Sequence, residues 1–137
     1  MPKSLKALEV RRARLLQQLQ SLGDFRPGTI SVNYRRCGKE NCACARPGHP
    51  GHGPQFLWNT TQGSKSRAQN LRLGAELEKA RKELENYDRF LQLCHELVGV
   101  NEQICRFRPV DEIEDEAALA ALKKTLRRRF LPKWRGK

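Results

Sequence analysis

The sequence has little that would support a membrane span, a secretion signal or a large core. No run of about 18 apolar residues occurs, and the N-terminal stretch MPKSLKALEVRR lacks the apolar segment of a secretory leader. Only 38% of the 137 residues are hydrophobic and 31% are charged, so we expect a modest core. These absences predict a cytoplasmic protein without a membrane partner, whose modest core needs help from packed helices, a metal or a binding partner.

Acidic residues are also scarce, and they are unevenly placed. The chain has 15 Asp and Glu against 27 Lys and Arg, which gives a formal net charge of +12. Residues 1–72 hold 13 bases and 3 acids, whereas residues 73–110 are nearly balanced. An acidic run at 111–116 then precedes residues 117–137, which hold eight bases and no acid. Two basic regions beside a neutral one predict binding to a polyanion, and a merely solubilising surface is the alternative.

Patterns typical of enzymes are absent as well. The sequence contains no G-x-S-x-G elbow, no P-loop and no H-E-x-x-H motif. A catalytic zinc would need an open coordination position and a nearby general base. Near the cysteine-rich segment the one carboxylate is Glu40, and a lone glutamate in a basic loop is usually solvated. We therefore predict a protein that is not an enzyme, with no catalytic residue and no small-molecule substrate.

What is present predicts an α+β chain that is mainly helical. Leucines at helical spacing predict a helix over residues 3–22, and a longer apolar stripe without proline predicts another from 73 to about 107. Segments 29–36 and 55–61 are rich in β-branched and aromatic residues and predict strands, with a short third strand around 67–71. We expect an antiparallel helical hairpin with an inserted, zinc-stabilised β-meander of two or three strands.

The same patterns suggest two parts along the chain. Residues 1–110 are expected to hold the hairpin with its zinc β-knuckle at about 28–71, and residues 111–137 an acidic-then-basic C-terminal helix and tail. Within the long helix, Asn101 is expected in or near the helix seam, where it would fix the register. Cys94 and Cys105 are three helical turns apart, and we expect them to pack in the core.

Five potential metal ligands lie within 16 residues, in the order Cys37-x4-Cys42-x-Cys44-x4-His49-x2-His52. Zinc takes four nitrogen or sulfur ligands, and a site closed by four protein ligands is structural. Three thiolates and one imidazole complete such a site, so we predict structural Zn²⁺ at the three cysteines. His52 is favoured as the fourth ligand because it precedes the second strand, and His49 is the alternative. The competing interpretation is a loop of unliganded thiols.

Three segments carry specific motifs. They are Tyr34-Arg-Arg-Cys37-Gly-Lys-x-x-Cys42-x-Cys44, His52-Gly-Pro54, and Leu84-Glu-Asn-Tyr87-x-Arg89 with Asn101 on the long helix. Together they resemble a family of small, uncharacterised bacterial proteins with a C-G-K-x-x-C-x-C and H-G-P signature, over about residues 3–108. The resemblance implies DNA or RNA as the partner, because such proteins are often encoded near transposases and other mobile elements. One departure is Gln55, which stands where family members commonly have an aromatic residue.

Exposed cations and nearby aromatics are the candidate nucleic-acid contacts. Tyr34, Phe56 and Trp58 are either stacking platforms or strand core. The candidate phosphate ligands lie around the cysteine loop, beside the next turn and in the tail: Arg35, Arg36, Lys39, Arg46, Lys65, Arg67, Lys123, Lys124, Arg127, Arg128, Arg129, Lys133 and Arg135.

The predicted function is a non-catalytic, zinc-stabilised accessory protein that binds nucleic acid together with a larger protein partner. A subunit of a transposon-associated or RNA-guided complex is the specific form of this hypothesis, and the sequence does not choose between DNA and RNA. The alternative is an adaptor that docks a larger enzyme through its helices. A third interpretation makes the tail a membrane-surface helix, but its apolar face of Leu122, Leu126 and Phe130 is narrow.

Overall fold

The computed structural model describes residues 4–133, which form three helices and one three-stranded antiparallel sheet. The α+β class is therefore confirmed. In chain order the elements are α1 (Leu5–Gln20), β1 (Thr29–Arg35), β2 (His52–Gln62), β3 (Lys65–Leu71), α2 (Ala75–Phe107) and α3 (Glu116–Phe130), with a short 3-10 turn at Ala43–Ala45 between β1 and β2. No helix within this described part of the chain is long and apolar enough to cross a bilayer.

Capping side chains mark the N-terminal ends of α1 and α3. Ser4 precedes α1, and its hydroxyl accepts a hydrogen bond from the Ala7 N–H at 3.1 Å. Asp115 does the same for α3, where its carboxylate accepts from the Ala118 N–H at 3.1 Å. Such caps satisfy N–H groups that have no partner within the helix. The predicted bounds of α1 and α2 are each wrong by two residues or fewer, because apolar periodicity does not locate caps.

The buried core lies between α1 and α2. Leu8 and Leu15 of α1 pack with Leu93, Val100 and Ile104 of α2, and half-buried leucines surround them. Fully burying one such side chain contributes about 1.5–3 kcal/mol. This apolar cluster is therefore the main source of stability for the two helices.

Polar contacts at this seam join the start of α1 to the end of α2. Arg12 Nη1 donates to Asn101 Oδ1 at 3.2 Å, and Asn101 Nδ2 donates to the Leu97 carbonyl at 3.0 Å. Arg108 Nη2 donates to Glu9 Oε2 at 3.3 Å. Asn101 therefore lies in the helix seam, as its position in the apolar stripe predicts.

The prediction that Cys94 and Cys105 pack in the core is wrong. Cys94 is half-buried and Cys105 is exposed, whereas Leu93 and Ile104, one residue earlier, are buried. Each cysteine stands next to a residue of the buried stripe, about 100° away around the helix. The spacing correctly predicted that the two cysteines share one face of α2. It did not identify whether that face or the adjacent one packs against α1.

The segment between α1 and β1 lies against α2. The Phe25 ring stacks on Phe90 with ring centroids 4.7 Å apart, and Asn86 Nδ2 donates to the Asp24 carbonyl at 2.8 Å. The Arg26 N–H donates to the Glu83 carbonyl at 3.2 Å. These contacts fix where the sheet begins relative to α2.

The sheet is thin and exposed on most of both faces. β2 is the central strand, and Phe56 pairs with Val32 of β1 and with Leu71 of β3. Among the described strand residues only Leu71 is buried. A three-stranded sheet needs a hydrophobic face or a packed partner for independent stability, so this one depends on contacts at its ends.

The third helix, α3, also buries few of its side chains. All described residues of α3 are exposed except Leu119, which is half-buried. The predicted C-terminal basic helix is therefore present as an element. The proposed division of the chain into residues 1–110 and 111–137 stays a prediction.

Candidate metal centre

Two adjacent strands hold the cysteine loop at both ends. Cys37 follows the end of β1 by two residues, and His52 is the first residue of β2, paired with Arg35 across the sheet. Cys42 and Cys44 lie at the 3-10 turn between them, with the Ala45 N–H donating to the Cys42 carbonyl at 3.0 Å. Antiparallel pairing therefore brings the first and last ligands together, and the turn directs the middle two toward them.

The four ligand atoms form one tight cluster. The three sulfurs and the imidazole nitrogen of Cys37, Cys42, Cys44 and His52 all lie within 4.8 Å of one another. Cys37 Sγ is 3.5 Å from Cys44 Sγ, and Cys42 Sγ is 3.2 Å from His52 Nε2. Cys44 is only 1% exposed and forms the floor of the site. These four residues lie close enough together to hold a metal ion.

Two glycines allow the loop to close around the cluster. Gly51 has φ of 106°, and a Cβ on it would approach the Arg35 backbone to 3.0 Å. Gly38, directly after Cys37, has φ of 82°. Side chains other than glycine rarely adopt such a conformation, so both positions constrain the sequence of the loop.

The protein environment makes the thiols unequal. Backbone hydrogen bonding at Lys39, followed by the His52 and Cys44 side chains, lowers the pKa of Cys37 to about 6. A backbone hydrogen bond from Cys37 lowers the pKa of Cys44, but burial and the sulfurs of Cys37 and Cys42 outweigh it, so that pKa is raised. Crowded thiols resist a second negative charge, and a bound cation is the group that would relieve this repulsion.

The geometry distinguishes between the two candidate histidines. His52 contributes its Nε2 to the cluster, whereas His49 is not part of it. The His49 Nδ1 instead accepts a hydrogen bond from the Gly51 N–H at 2.9 Å, and its carbonyl accepts from Arg36 Nη2 at 2.8 Å. His49 therefore shapes the loop, and the sequence-based preference for His52 as the fourth ligand agrees with the structure.

Basic side chains surround this cluster. Arg35 and Arg36 line a hollow of about 310 Å³ together with Cys37, His52 and Gln55. Arg36 is already engaged with the His49 carbonyl, so it has a structural role besides its charge. All of the predicted nucleic-acid contacts in residues 4–133 are exposed. Arg135 lies outside the described residues.

These cations differ in their pairing from most of the bases on α1, α2 and their flanks. Seven bases of α1, α2 and their flanks form ion pairs with acids, for example Arg81 with Glu78 and Glu85. By contrast, no carboxylate within residues 4–133 pairs with the candidate contacts, which are Arg35, Arg36, Lys39, Arg46, Lys65, Arg67, Lys123, Lys124, Arg127, Arg128, Arg129 and Lys133.

Two of the three candidate aromatics share one face of the sheet. Alternation along β2 places Phe56 and Trp58 on the same side, whereas the irregular pairing between Asn33 and Arg35 interrupts the alternation at Tyr34. Tyr34 is 49% exposed, and Phe56 and Trp58 are half-buried. None of them is enclosed in a core, so their rings remain accessible in part.

Sequence reasoning missed the contact that joins the sheet to α2. Arg26 Nη2 lies 2.6 Å from Glu83 Oε1, and the Arg26 guanidinium lies over the Trp58 ring, 4.4 Å from its centroid. Lys79 Nζ lies 2.6 Å from Glu83 Oε2, and this hydrogen bond, then Arg26, lowers the pKa of Glu83. One signal could have found this contact: Glu83 is an acid three residues after Ala80, on the buried stripe of α2.

Comparison with known proteins identifies a family without an assigned activity. Residues 5–83 match the family described as domain of unknown function (DUF6788). No curated protein and no solved structure matches the chain. The matched range contains α1, the whole sheet, all four ligand residues and the first turns of α2, and it ends before α3. It is shorter than the residues 3–108 that the motifs indicate.

Proposed function

The chain belongs to the DUF6788 family, and for this member we propose a non-catalytic protein that binds nucleic acid through a zinc-stabilised basic loop and sheet. In this proposal α1 and α2 form an antiparallel hairpin that carries the zinc β-knuckle. Zn²⁺ is held by Cys37, Cys42, Cys44 and His52, and it fixes the positions of the surrounding cations. The protein supplies no catalytic residue and acts beside a larger partner.

The donor set supports zinc as the metal. Thiolate and imidazole ligands in a tetrahedral arrangement are typical of Zn²⁺, whereas Mg²⁺ and Ca²⁺ take oxygen ligands. Ligand atoms at about 2.3 Å from a tetrahedral ion lie roughly 3.7 Å from one another. Two of the ligand-atom separations here are 3.2 and 3.5 Å, and all of them are within 4.8 Å. Four protein ligands fill the coordination shell, which makes the site structural.

One observation carries the nucleic-acid part of the proposal. Residues 25–73, which contain the loop and the sheet, hold eight basic residues, and Glu40 is the single acid among them. Five of these bases, Arg35, Lys39, Arg46, Lys65 and Arg67, have neither a carboxylate partner nor a side-chain hydrogen bond within residues 4–133. Unpaired guanidinium and ammonium groups are the usual ligands of nucleic-acid phosphates.

Salt dependence of binding tests this proposal. If roughly six phosphates are neutralised, affinity falls about 10³-fold between 50 and 200 mM salt. Fluorescence anisotropy with labelled DNA and RNA oligonucleotides, measured over that range on the zinc-loaded protein, gives the slope for each polymer. An absence of binding to both polymers, or an affinity that does not change with salt, would contradict the proposal.

Metal analysis tests the zinc site separately. We expect one equivalent of zinc in the purified chain and its loss in Cys42→Ser, because the variant removes one of four ligands. Cys105→Ser is the matched control, since Cys105 is an exposed cysteine outside the cluster. Equal zinc content in the parent and in Cys42→Ser would rule out this site.

A place in a transposon-associated or RNA-guided complex is the most specific form of the proposal. It is supported by the sequence motifs and the genomic setting that they imply, and by no contact in the structure. Co-purification of the tagged chain from its native host, with and without nuclease, checks it. Recovery of a transposase or an RNA-guided nuclease supports this form, and recovery of nucleic acid alone contradicts it.

An adaptor function is the second candidate, and α3 is the observation that favours it. Leu122, Leu126 and Phe130 follow one another at helical spacing and are 39%, 42% and 72% exposed. An apolar stripe of this kind can dock on a partner protein. A partner that co-purifies after nuclease treatment and is lost in Leu126→Asp would favour this function over nucleic-acid binding.

A further inference from the structure

We infer that the sheet face bearing Trp58 is a subsite for an unpaired base of a single-stranded nucleic acid. This inference rests on the proposed nucleic-acid binding and adds the class of target. The subsite is a hollow of about 400 Å³, within the size range of small-ligand pockets. Its lining consists of Trp58, Thr60, Gln62, Arg67, Ala68 and Gln69.

The register of β2 and β3 explains why these side chains converge. Trp58 pairs with Gln69, Thr60 with Arg67 and Gln62 with Lys65. Directly paired residues of an antiparallel sheet project to the same face, and residues two apart on one strand do so as well. The aromatic ring, the two amides and the two cations therefore lie on one side of the sheet.

The indole provides a fixed wall for stacking. Trp58 Nε1 donates to the Pro27 carbonyl at 2.8 Å, and the Arg26 guanidinium lies over the ring at 4.4 Å. A ring that is held before binding loses little conformational freedom when a base stacks on it. Bases of any identity stack on aromatic side chains, so this contact selects unpaired bases without selecting a sequence.

The two glutamines provide hydrogen-bonding groups beside the indole. Neither Gln62 nor Gln69 makes a side-chain hydrogen bond within residues 4–133, although many other polar side chains do. Each amide offers two donors and one acceptor, which can pair with the edge of a base. In a duplex these base edges are already paired, which favours a single strand.

Two cations border the hollow where a phosphate would lie. Arg67 lines it directly, and Lys65 stands two residues away on the same face. Neither residue pairs with a carboxylate within the described part of the chain. The hollow thus combines an aromatic ring, amides and cations, which is the set that single-stranded nucleic acids require.

Tryptophan fluorescence tests this subsite in the full-length, zinc-loaded chain. The sequence contains two tryptophans, so Trp134→Phe leaves Trp58 as the single reporter. We expect saturable quenching by a single-stranded DNA or RNA oligonucleotide and little change with the duplex of the same sequence. Unchanged fluorescence with both single strands, or equal quenching by the duplex, would overturn the inference.

Substitutions provide a second measurement. Several are used, so that the test still decides if Trp58→Ala does not fold. Trp58→Ala should weaken single-strand binding about 5- to 150-fold and Trp58→Phe much less, because phenylalanine still stacks. Gln69→Ala should weaken it, whereas Asn70→Ala, the next residue on the opposite face of β3, should not. Equal effects of Gln69→Ala and Asn70→Ala would overturn the inference.

The outcomes separate this inference from the proposed function. If neither single strands nor duplexes bind, both fail. If salt-dependent binding is strong but does not quench Trp58 and does not prefer single strands, the proposed function stands and this subsite is wrong. If single strands quench Trp58 and duplexes do not, the separate DNA and RNA arms show which polymer the hollow accepts.

Discussion

The paired helices α1 and α2 differ from the sheet and its loop in how they are stabilised and how they use charge. The helices share a buried core of leucine, valine and isoleucine, and most of the bases on them and their flanks form ion pairs with acids. The sheet buries one strand residue, and most of its cations have no acidic partner within residues 4–133. The first region is held together by its own core, and the second leaves cations available for the binding that we propose.

This difference indicates where the stability of each region originates. Exposed ion pairs contribute about 0–1 kcal/mol each, so the helices depend mainly on their apolar seam. The sheet and loop lack a comparable seam, and in our proposal they depend on the metal held by the cluster at one end and on Arg26 at the other. The two regions should therefore respond independently to loss of metal and to damage in the core.

Metal removal should have the largest effect, and it should be confined to one region. Structural zinc sites bind with apparent free energies of about 10–16 kcal/mol, much of which is used in folding. We expect a chelator, or Cys44→Ser, to abolish amide protection in residues 29–71 while α1 and α2 keep theirs. Hydrogen exchange measures this, with Cys105→Ser as the control. Loss of protection throughout the helices would show that the two regions are not independent.

Truncation of a core side chain should destabilise the helices and leave the metal site intact, which is the opposite of the pattern expected for metal removal. Leu93→Ala removes a side chain that is 1% exposed at the centre of the helix seam, and it should cost about 2–5 kcal/mol. Chemical unfolding followed by circular dichroism gives this loss. Zinc content should remain at one equivalent, because none of the ligands lies on α2. Loss of zinc at temperatures where Leu93→Ala is still folded would contradict the separation.

Loss of the contact that joins the sheet to α2 should destabilise the chain by an intermediate amount. Glu83 forms an ion pair with Arg26 and accepts a hydrogen bond from Lys79, and a hydrogen bond to a charged group contributes about 1.5–3 kcal/mol. Since the pKa of Glu83 is lowered from 4.5 in the folded chain, this stability is present above pH 4.5 and is lost as the pH falls through the folded pKa.

The variant Glu83→Gln should therefore be less stable than the parent at neutral pH and should lose less stability on acidification. Unfolding curves measured at neutral pH and below pH 4 test this. Glu85→Gln, an exposed acid on the same helix, is the matched control. Identical pH dependence in the parent and in Glu83→Gln would contradict the assigned role of Glu83.

Single cation substitutions should have the smallest effects, and these should differ between the regions. Arg67→Ala removes an unpaired cation of the sheet, so the slope of log affinity against log salt should become shallower by about one. Arg81→Ala removes a cation that is paired with Glu78 and Glu85, so the slope should stay unchanged. Equal changes would show that pairing does not decide which cations bind nucleic acid.

The sequence predicted the elements and the residues of the cluster because both depend on local patterns. Strand composition predicted β1 and β2, and the close spacing of three cysteines and a histidine predicted a cluster that the strand pairing completes. The structure was needed for contacts between distant residues. Arg26 meets Glu83 and Trp58 only because the segment after α1 lies on α2, and no local pattern encodes that. For the same reason, the assignment of Cys94 and Cys105 to the core was wrong.

X-ray absorption at the zinc edge of the purified chain tests the central claim most directly. The account predicts one zinc per chain with three sulfur neighbours at about 2.3 Å and one nitrogen at about 2.0–2.1 Å. Replacing His52 with alanine should remove the nitrogen contribution, and replacing His49 should not, because only His52 lies in the cluster. A chain without zinc, or a zinc ion coordinated by oxygen and nitrogen alone, would contradict the account.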